Sequence, residues 1–434
     1  MLFENITVVD EEFNCKETQW VGVKGDKIAY IGDRAPEDAA EYGETYDGNG
    51  KLLMPALYNA HAHAPMTLLR GYAENLPLQA WLEQKCWPFE AKMNGDDNYW
   101  ATLLAGAEMA RYGIVSFSDM YYFTRERAKA VTELGMKANL CTSPLAFEPK
   151  PITEYPIYEE FIDGLENLNG TDEGRIKIDV CVHAEYTNND VTAAGIVELA
   201  RKYNVGLQIH ASETKSETEQ CRERHNGMSP IQWFDSLGAY EVPVSAAHCV
   251  WVDDDDIALM AEKGVTAVHN PASNMKLASG FAPIPKMLDA GVNVALGTDG
   301  MASNNNHDMF QDMYLMALLP KGNMLDPTVV SPKQVIRAAT QAGALSQGRN
   351  NCGLVKVGYK ADLTVLDVTG VSWCPVNDML TNIVYAGHGS DVVLTMSDGR
   401  VIYRDGVWPG VDIEAAKCEV AERTVRIQGQ LASE

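Results

Sequence analysis

Short, nearly continuous apolar runs recur through the middle of the chain, at 55–60, 114–119, 138–143, 176–183, 205–210, 244–248, 265–269 and 293–298. Runs of this length suit strands covered on both faces. Between them, 99–111, 124–134, 193–202 and 254–262 repeat apolar residues at helical spacing. Eight strands, each followed by a helix or long loop, predict an α/β fold, a closed TIM-like (β/α)8 barrel. An open doubly wound sheet fits less well, because no Gly-x-Gly-x-x-Gly follows the first strand. The two ends have another texture. Residues before about Leu53, and again after Leu354, alternate apolar and polar positions with Gly-Asp turns between. Together they predict one small β-sandwich domain built from both chain ends, 1–54 and 354–434, flanking a barrel at 55–353.

A length of 434 residues and a hydrophobic share of 46% fit one large barrel plus an appendage. The charge narrows the partners. Lys plus Arg number 35 against 60 Asp plus Glu, a net −25, which repels nucleic-acid polymers and anionic membranes and leaves a small-molecule substrate as the expected partner. Nine scattered cysteines without a Cys-x-x-Cys pair point to reduced thiols and a cytoplasmic setting. No basic segment leading into an apolar core opens the sequence, and no run approaches the ~18–20 apolar residues that span a bilayer.

The candidate chemistry sits at the ends of the apolar runs. The first closes on His61-Ala62-His63, and two residues apart on a strand share a face. Later runs end in His210, His248 and Asp299. Each alone is no more than a core histidine or a strand-end cap. In a barrel, however, these ends meet at the carboxyl face, where chemistry is done. Three imidazoles and one carboxylate (His61, His63, His210, Asp299) suit zinc or ferrous iron with room for a water. Glu213 follows His210 closely enough to face the same pocket as a proton carrier, and His248 is placed to hydrogen-bond the attacking oxygen. A non-catalytic barrel with a structural ion is the rival from another class; it would need neither Glu213 nor His248.

The stretches 59–71 (NAHAHAPMTLLRG), 209–214 (IHASET), 269–280 (HNPASNMKLASG) and 297–306 (GTDGMASNNN), taken in order, resemble the amidohydrolase superfamily, in the branch of 5′-methylthioadenosine/S-adenosylhomocysteine deaminases and related chlorohydrolases. The resemblance implies hydrolytic deamination of an adenine nucleoside: Glu213 protonates the purine N1, Asp299 takes the proton of the attacking water and His248 steadies the tetrahedral centre. Further roles follow from the same likeness. His183 would bond a purine ring nitrogen, Trp81 would pack on the nucleoside, and Glu90 would accept from the ribose hydroxyls. Two-metal relatives carry a bridging lysine on the fourth strand, and here that strand ends Asp179-Val180-Cys181-Val182-His183, so one divalent metal is expected. Members that favour S-adenosylhomocysteine hold its carboxylate with arginines after the third strand. Here 144–161 has only Lys150, which favours 5′-methylthioadenosine, 5′-deoxyadenosine or adenosine. His269 is a further candidate for the pocket wall, while His225, His307 and His388 are read as structural. Guanine, a pterin or an s-triazine is the runner-up substrate class, and a homo-oligomer is the family-level expectation.

Overall fold

The computed structural model describes residues 1–433. Its centre is the barrel. Parallel strands Leu57–His63, Ile114–Tyr121, Lys137–Thr142, Ile176–Ile178 with Val180–Val182, Leu207–Ala211, Val244–His248, Thr266–His269 and Asn293–Leu296 with Asp299–Gly300 pair in sequence, and Asp299–Gly300 returns to pair with Ala62–His63. The first two strands are buried along their whole length, the polar residues Asn59, Ser116, Ser118 and Asp119 included. The helical segments follow local signals. Gly95–Arg111 starts from an Asn94/Asp97 capping box, and Asp254–Lys263 from one made by Asp253 and Asp256, ending at Gly264 with φ 70°.

Two barrel strands are interrupted, and both breaks lie next to interior polar residues. Asp179 separates the halves of the fourth strand; its carboxylate accepts from Asn139 Nδ2 (3.0 Å) and Gln208 Nε2 (2.9 Å) on the flanking strands. The eighth strand breaks at Thr298, where Asn59 Nδ2 donates to Thr298 Oγ1 (2.7 Å) and Thr298 N donates to Asn59 Oδ1 (3.0 Å). This exchange ties the last strand to the first. It closes the barrel at the level of the histidines.

The two chain ends form one mixed eight-stranded sheet in which Lys51–Pro55 pairs antiparallel with Leu363–Asp367. Its apolar core joins Phe3, Ile6 and Val21 from one end to Leu363, Val365 and Met396 from the other. Tyr58 and Lys137 of the barrel converge on buried Asp362 of this sheet, fixing one unit on the other. Beyond Arg404 the strand texture gives way to a helix, Ile413–Ala432, which leaves the sheet and docks on the barrel helix Gly95–Arg111 through Arg426 and Asp97 (2.5 Å). No helix among the described residues is long and apolar enough to cross a membrane.

One buried ion pair braces the turn that follows His63. The Arg127 guanidinium and the Asp119 carboxylate are fully buried and 2.7 Å apart, and Arg127 also donates to the carbonyls of Asp119, Tyr121 and Cys141. Asp119 Oδ1 accepts from Ala64 N, holding the turn that follows His63. Arg127→Met strands a carboxylate in the interior, and urea denaturation is expected to register a loss of about 3–5 kcal/mol.

Candidate active site

Three strand ends depart from ordinary backbone geometry. Ser212, His248 and Asp299 adopt positive φ of 52°, 75° and 61° where strands five, six and eight leave the barrel. Such conformations are costly for residues with a Cβ and persist where the surroundings impose them. The consequence is that His248 and Asp299 turn inward, toward the pair on the first strand.

The ligand atoms of His61, His63 and His210 lie within 4.8 Å of one another, and so do those of His61, His248 and Asp299. Asp299 Oδ1 stands 3.5 Å from His61 Nε2 and 3.2 Å from His63 Nε2. Its other oxygen is taken by the hydroxyls of Ser273 (2.6 Å) and Ser303 (3.0 Å). Two imidazoles are oriented by carbonyls: His63 Nδ1 lies 2.6 Å from Met120 O and His210 Nδ1 lies 2.7 Å from His183 O. A carbonyl only accepts, so both Nδ1 atoms carry the hydrogen and both Nε2 atoms present lone pairs. Those two Nε2 atoms face each other at 3.3 Å, and buried His61 Nε2 has no hydrogen-bond partner. Lone pairs converging on a carboxylate oxygen fit a divalent cation.

The electrostatics agree. Burial raises the cost of the Asp299 carboxylate, but the His61 and His63 imidazoles beside it hold it well below the usual range. Burial likewise opposes a charge on His63, yet Asp299 outweighs it and lifts the group to about 9. His61 drops to about 4 and His210 falls well below its ordinary value, burial being the largest cause in each. Burial thus favours in His61 and His210 the neutral form that metal ligation requires, while the Asp299 carboxylate draws a positive charge toward itself at His63.

Above the cluster opens a narrow cavity of about 50 Å³. Its floor includes His63, His210, His248, Asp299 and Glu213; its walls include His183, Trp81, Glu90, Trp87, Tyr122 and Tyr186. Among the described residues, no lysine or arginine lines it. Glu213 Oε2 lies 3.8 Å from His248 Nε2, and its Oε1 accepts from Ser279 Oγ at 3.3 Å. Burial raises the carboxyls of both Glu213 and Glu90. The indole N–H of Trp81 is buried without a partner, a donor waiting on the cavity wall. Lys150 is paired with Glu148 and stacked over Tyr155, away from the cavity.

The family's sequence profile matches residues 52–402. The chain belongs to the amidohydrolase family. A 5-methylthioadenosine/S-adenosylhomocysteine deaminase from Dictyoglomus thermophilum is 38% identical over 427 residues, 98% of this chain and 99% of that one. A 5′-deoxyadenosine deaminase from Methanosarcina mazei is 42% identical over 387 residues, 89% of this chain and 88% of that one. Among solved structures, a zinc-bound adenosine deaminase from Xanthomonas campestris superposes with a TM-score of 0.91 at 31% identity, covering 99% of this chain and 98% of that one.

The amidohydrolase barrel thus brings together all the residues singled out as metal ligands, catalytic groups and substrate contacts: His61, His63, His210, Asp299, Glu213, His248, Trp81, Glu90 and His183. His269 is not among the cavity's lining residues; it is buried beneath, with both ring nitrogens unpartnered and its pKa lowered to about 3 by burial. His225 is less bland than expected, with Nε2 2.8 Å from Glu185 Oε1. Sequence reasoning missed the supporting shell. Asn274 Oδ1, 2.8 Å from His248 Nδ1, and Ser279 lie in a quoted stretch without an assigned role. Glu217, three residues after Thr214, carried the signal of a capping box and went unread.

Proposed function

We propose that this amidohydrolase hydrolytically deaminates adenine nucleosides, taking 5′-methylthioadenosine, 5′-deoxyadenosine, adenosine or S-adenosylhomocysteine to the inosine analogue and ammonia. The observation that carries the reading is the convergence, in one cavity, of the three-imidazole cluster with Glu213 and His248 on the floor and Glu90, His183 and Trp81 on the walls. His61, His63, His210 and Asp299 would hold one divalent ion, zinc in preference to ferrous iron, and that ion supplies a water acidic enough to attack at neutral pH. The rest falls to the chain's own groups. Glu213, its carboxyl raised by burial, delivers a proton to purine N1. Asp299 Oδ1 accepts the proton lost by the attacking water, while Ser273 and Ser303 hold its other oxygen in place. His248, its Nδ1 set by Asn274, turns Nε2 toward the forming tetrahedral carbon. Asp299 returns its proton to the departing nitrogen, ammonia leaves, and the Glu213 carboxylate regains a proton from the C6 hydroxyl as the carbonyl forms.

Glu90 separates nucleosides from free heterocycles. A carboxylate suits a vicinal diol, because it offers two acceptors, whereas guanine or an s-triazine has no diol to bind. Glu90→Gln is expected to raise KM for nucleosides about 10–100-fold with a smaller change in kcat. Among the described residues no cation lines the cavity, and Arg224 and Lys276 of the adjoining basin are paired with Glu185 and Glu74, which favours uncharged 5′ groups over the zwitterionic tail of S-adenosylhomocysteine. Ammonia release should therefore be measured over a set of 5′-modified adenosines beside adenine, guanine and an s-triazine. Turnover of the free heterocycles with none of the adenosines would overturn the assignment.

A further inference from the structure

We infer that Glu217 is the positioning residue for Glu213, a carboxylate that clamps the strained turn between the histidine strand and the proton carrier. The inference rests on the reading of Glu213 as that proton carrier. By sequence, Thr214-Lys215-Ser216-Glu217 is a capping box, and the helix Lys215–Arg224 does begin with the reciprocal pair: Glu217 N donates to Thr214 Oγ1 (3.1 Å) and Thr214 N donates to the Glu217 carboxylate (3.3 Å). A capping box needs nothing more. Here the carboxylate reaches two residues further back. Ser212 N donates to Oε1 at 3.0 Å and Glu213 N donates to Oε2 at 2.7 Å, so three successive amides end on one side chain.

The location gives this its meaning. Ser212, with φ 52°, is the residue at which the chain turns out of the strand that carries His210. Its peptide is gripped from the other side too, since Ser212 O accepts from Val250 N (3.0 Å) and Trp251 N (2.8 Å) just beyond His248. The turn that aims Glu213 is therefore pinned between the end of the sixth strand and a buried carboxylate. Glu217 is 5% exposed and does not line the cavity above the histidines; it borders an outer basin that shares Leu78, Tyr186 and Leu277 with that cavity. Its hydrogen bonds to the turn all go to backbone amides. Without it, a residue in a costly conformation loses what holds it there, and Glu213 loses its fixed approach to the substrate.

The test compares Glu217→Gln and Glu217→Asp with Thr214→Ala and Glu213→Gln, scoring kcat, KM, bound metal and Tm. Gln keeps the shape but has one acceptor oxygen for three amides, and Asp withdraws the carboxylate by one methylene. Both should lower kcat about 10–100-fold with KM nearly unchanged. Bound metal should be unaltered in both. Thr214→Ala breaks the box yet leaves the amides of Ser212 and Glu213 clamped, so it should lower Tm and spare kcat. If Glu217→Gln and Glu217→Asp fold, bind metal and turn over at the parental rate, or if Thr214→Ala depresses kcat as much as they do, the clamp is only a helix cap and the inference is overturned. Glu213→Gln keeps the two questions apart: full activity in that variant would refute the role of Glu213 itself.

Discussion

Glu213→Gln is expected to leave a folded, metal-loaded protein whose kcat has fallen about 10²–10⁴-fold, the span ascribed to a positioned proton donor. Gln has the shape of Glu and keeps a partner for Ser279 Oγ, so the cavity is undisturbed. What it lacks is a transferable proton. The loss should fall on kcat and kcat/KM alike, because the group acts in the transition state and not in substrate binding. Stability should hold or rise, since a carboxyl kept from water in this pocket is costly to ionise, as its raised pKa shows. Ammonia release, metal analysis and thermal melting on one preparation check all three. Near-parental ammonia release would remove Glu213 from the mechanism.

Chelation is the second large effect. Stripping the divalent ion should abolish ammonia release, and one equivalent of zinc per chain should restore it. The barrel itself should survive. Its closure depends on the Asn59–Thr298 exchange and the pairing of Asp299–Gly300 with the first strand, and the buried Arg127–Asp119 pair holds the turn after His63, all without the ion. Far-UV circular dichroism should therefore be kept. Tm should fall as the binding linkage is lost, a stabilisation of about 2.7 kcal/mol when free metal stands at 100 times Kd. An ion that served only the fold would behave in the opposite way, with chelation unfolding the protein. His210→Ala should mimic the stripped state, because it removes one of the three facing imidazoles and the remaining two cannot close the shell.

Several of these expectations could be written from the chain alone because the barrel's signals are local. A buried parallel strand must be apolar along its length, and the residue at its carboxyl end must face the site. His61, His63, His210, His248 and Asp299 were accordingly visible as terminators of apolar runs. The breaks at Asp179 and Thr298 were not visible, because each depends on side chains reaching across from neighbouring strands. The docking of Ile413–Ala432 on the barrel was equally hidden, since an amphipathic pattern names a buried face without naming what buries it.

Sequence by itself determined the order of elements, the residue types at the strand ends and the excess of negative charge. The tertiary structure alone decided which lone pairs meet. His63 and His210 are 147 positions apart, and only barrel closure brings their Nε2 atoms to 3.3 Å. It also decided that Glu217 grips three amides and not one, and that no lysine or arginine among the described residues lines the cavity. The physical reason is the same throughout: periodicity reports burial along one segment, whereas hydrogen bonds and charge pairs are made between segments whose approach is fixed only by the packed fold.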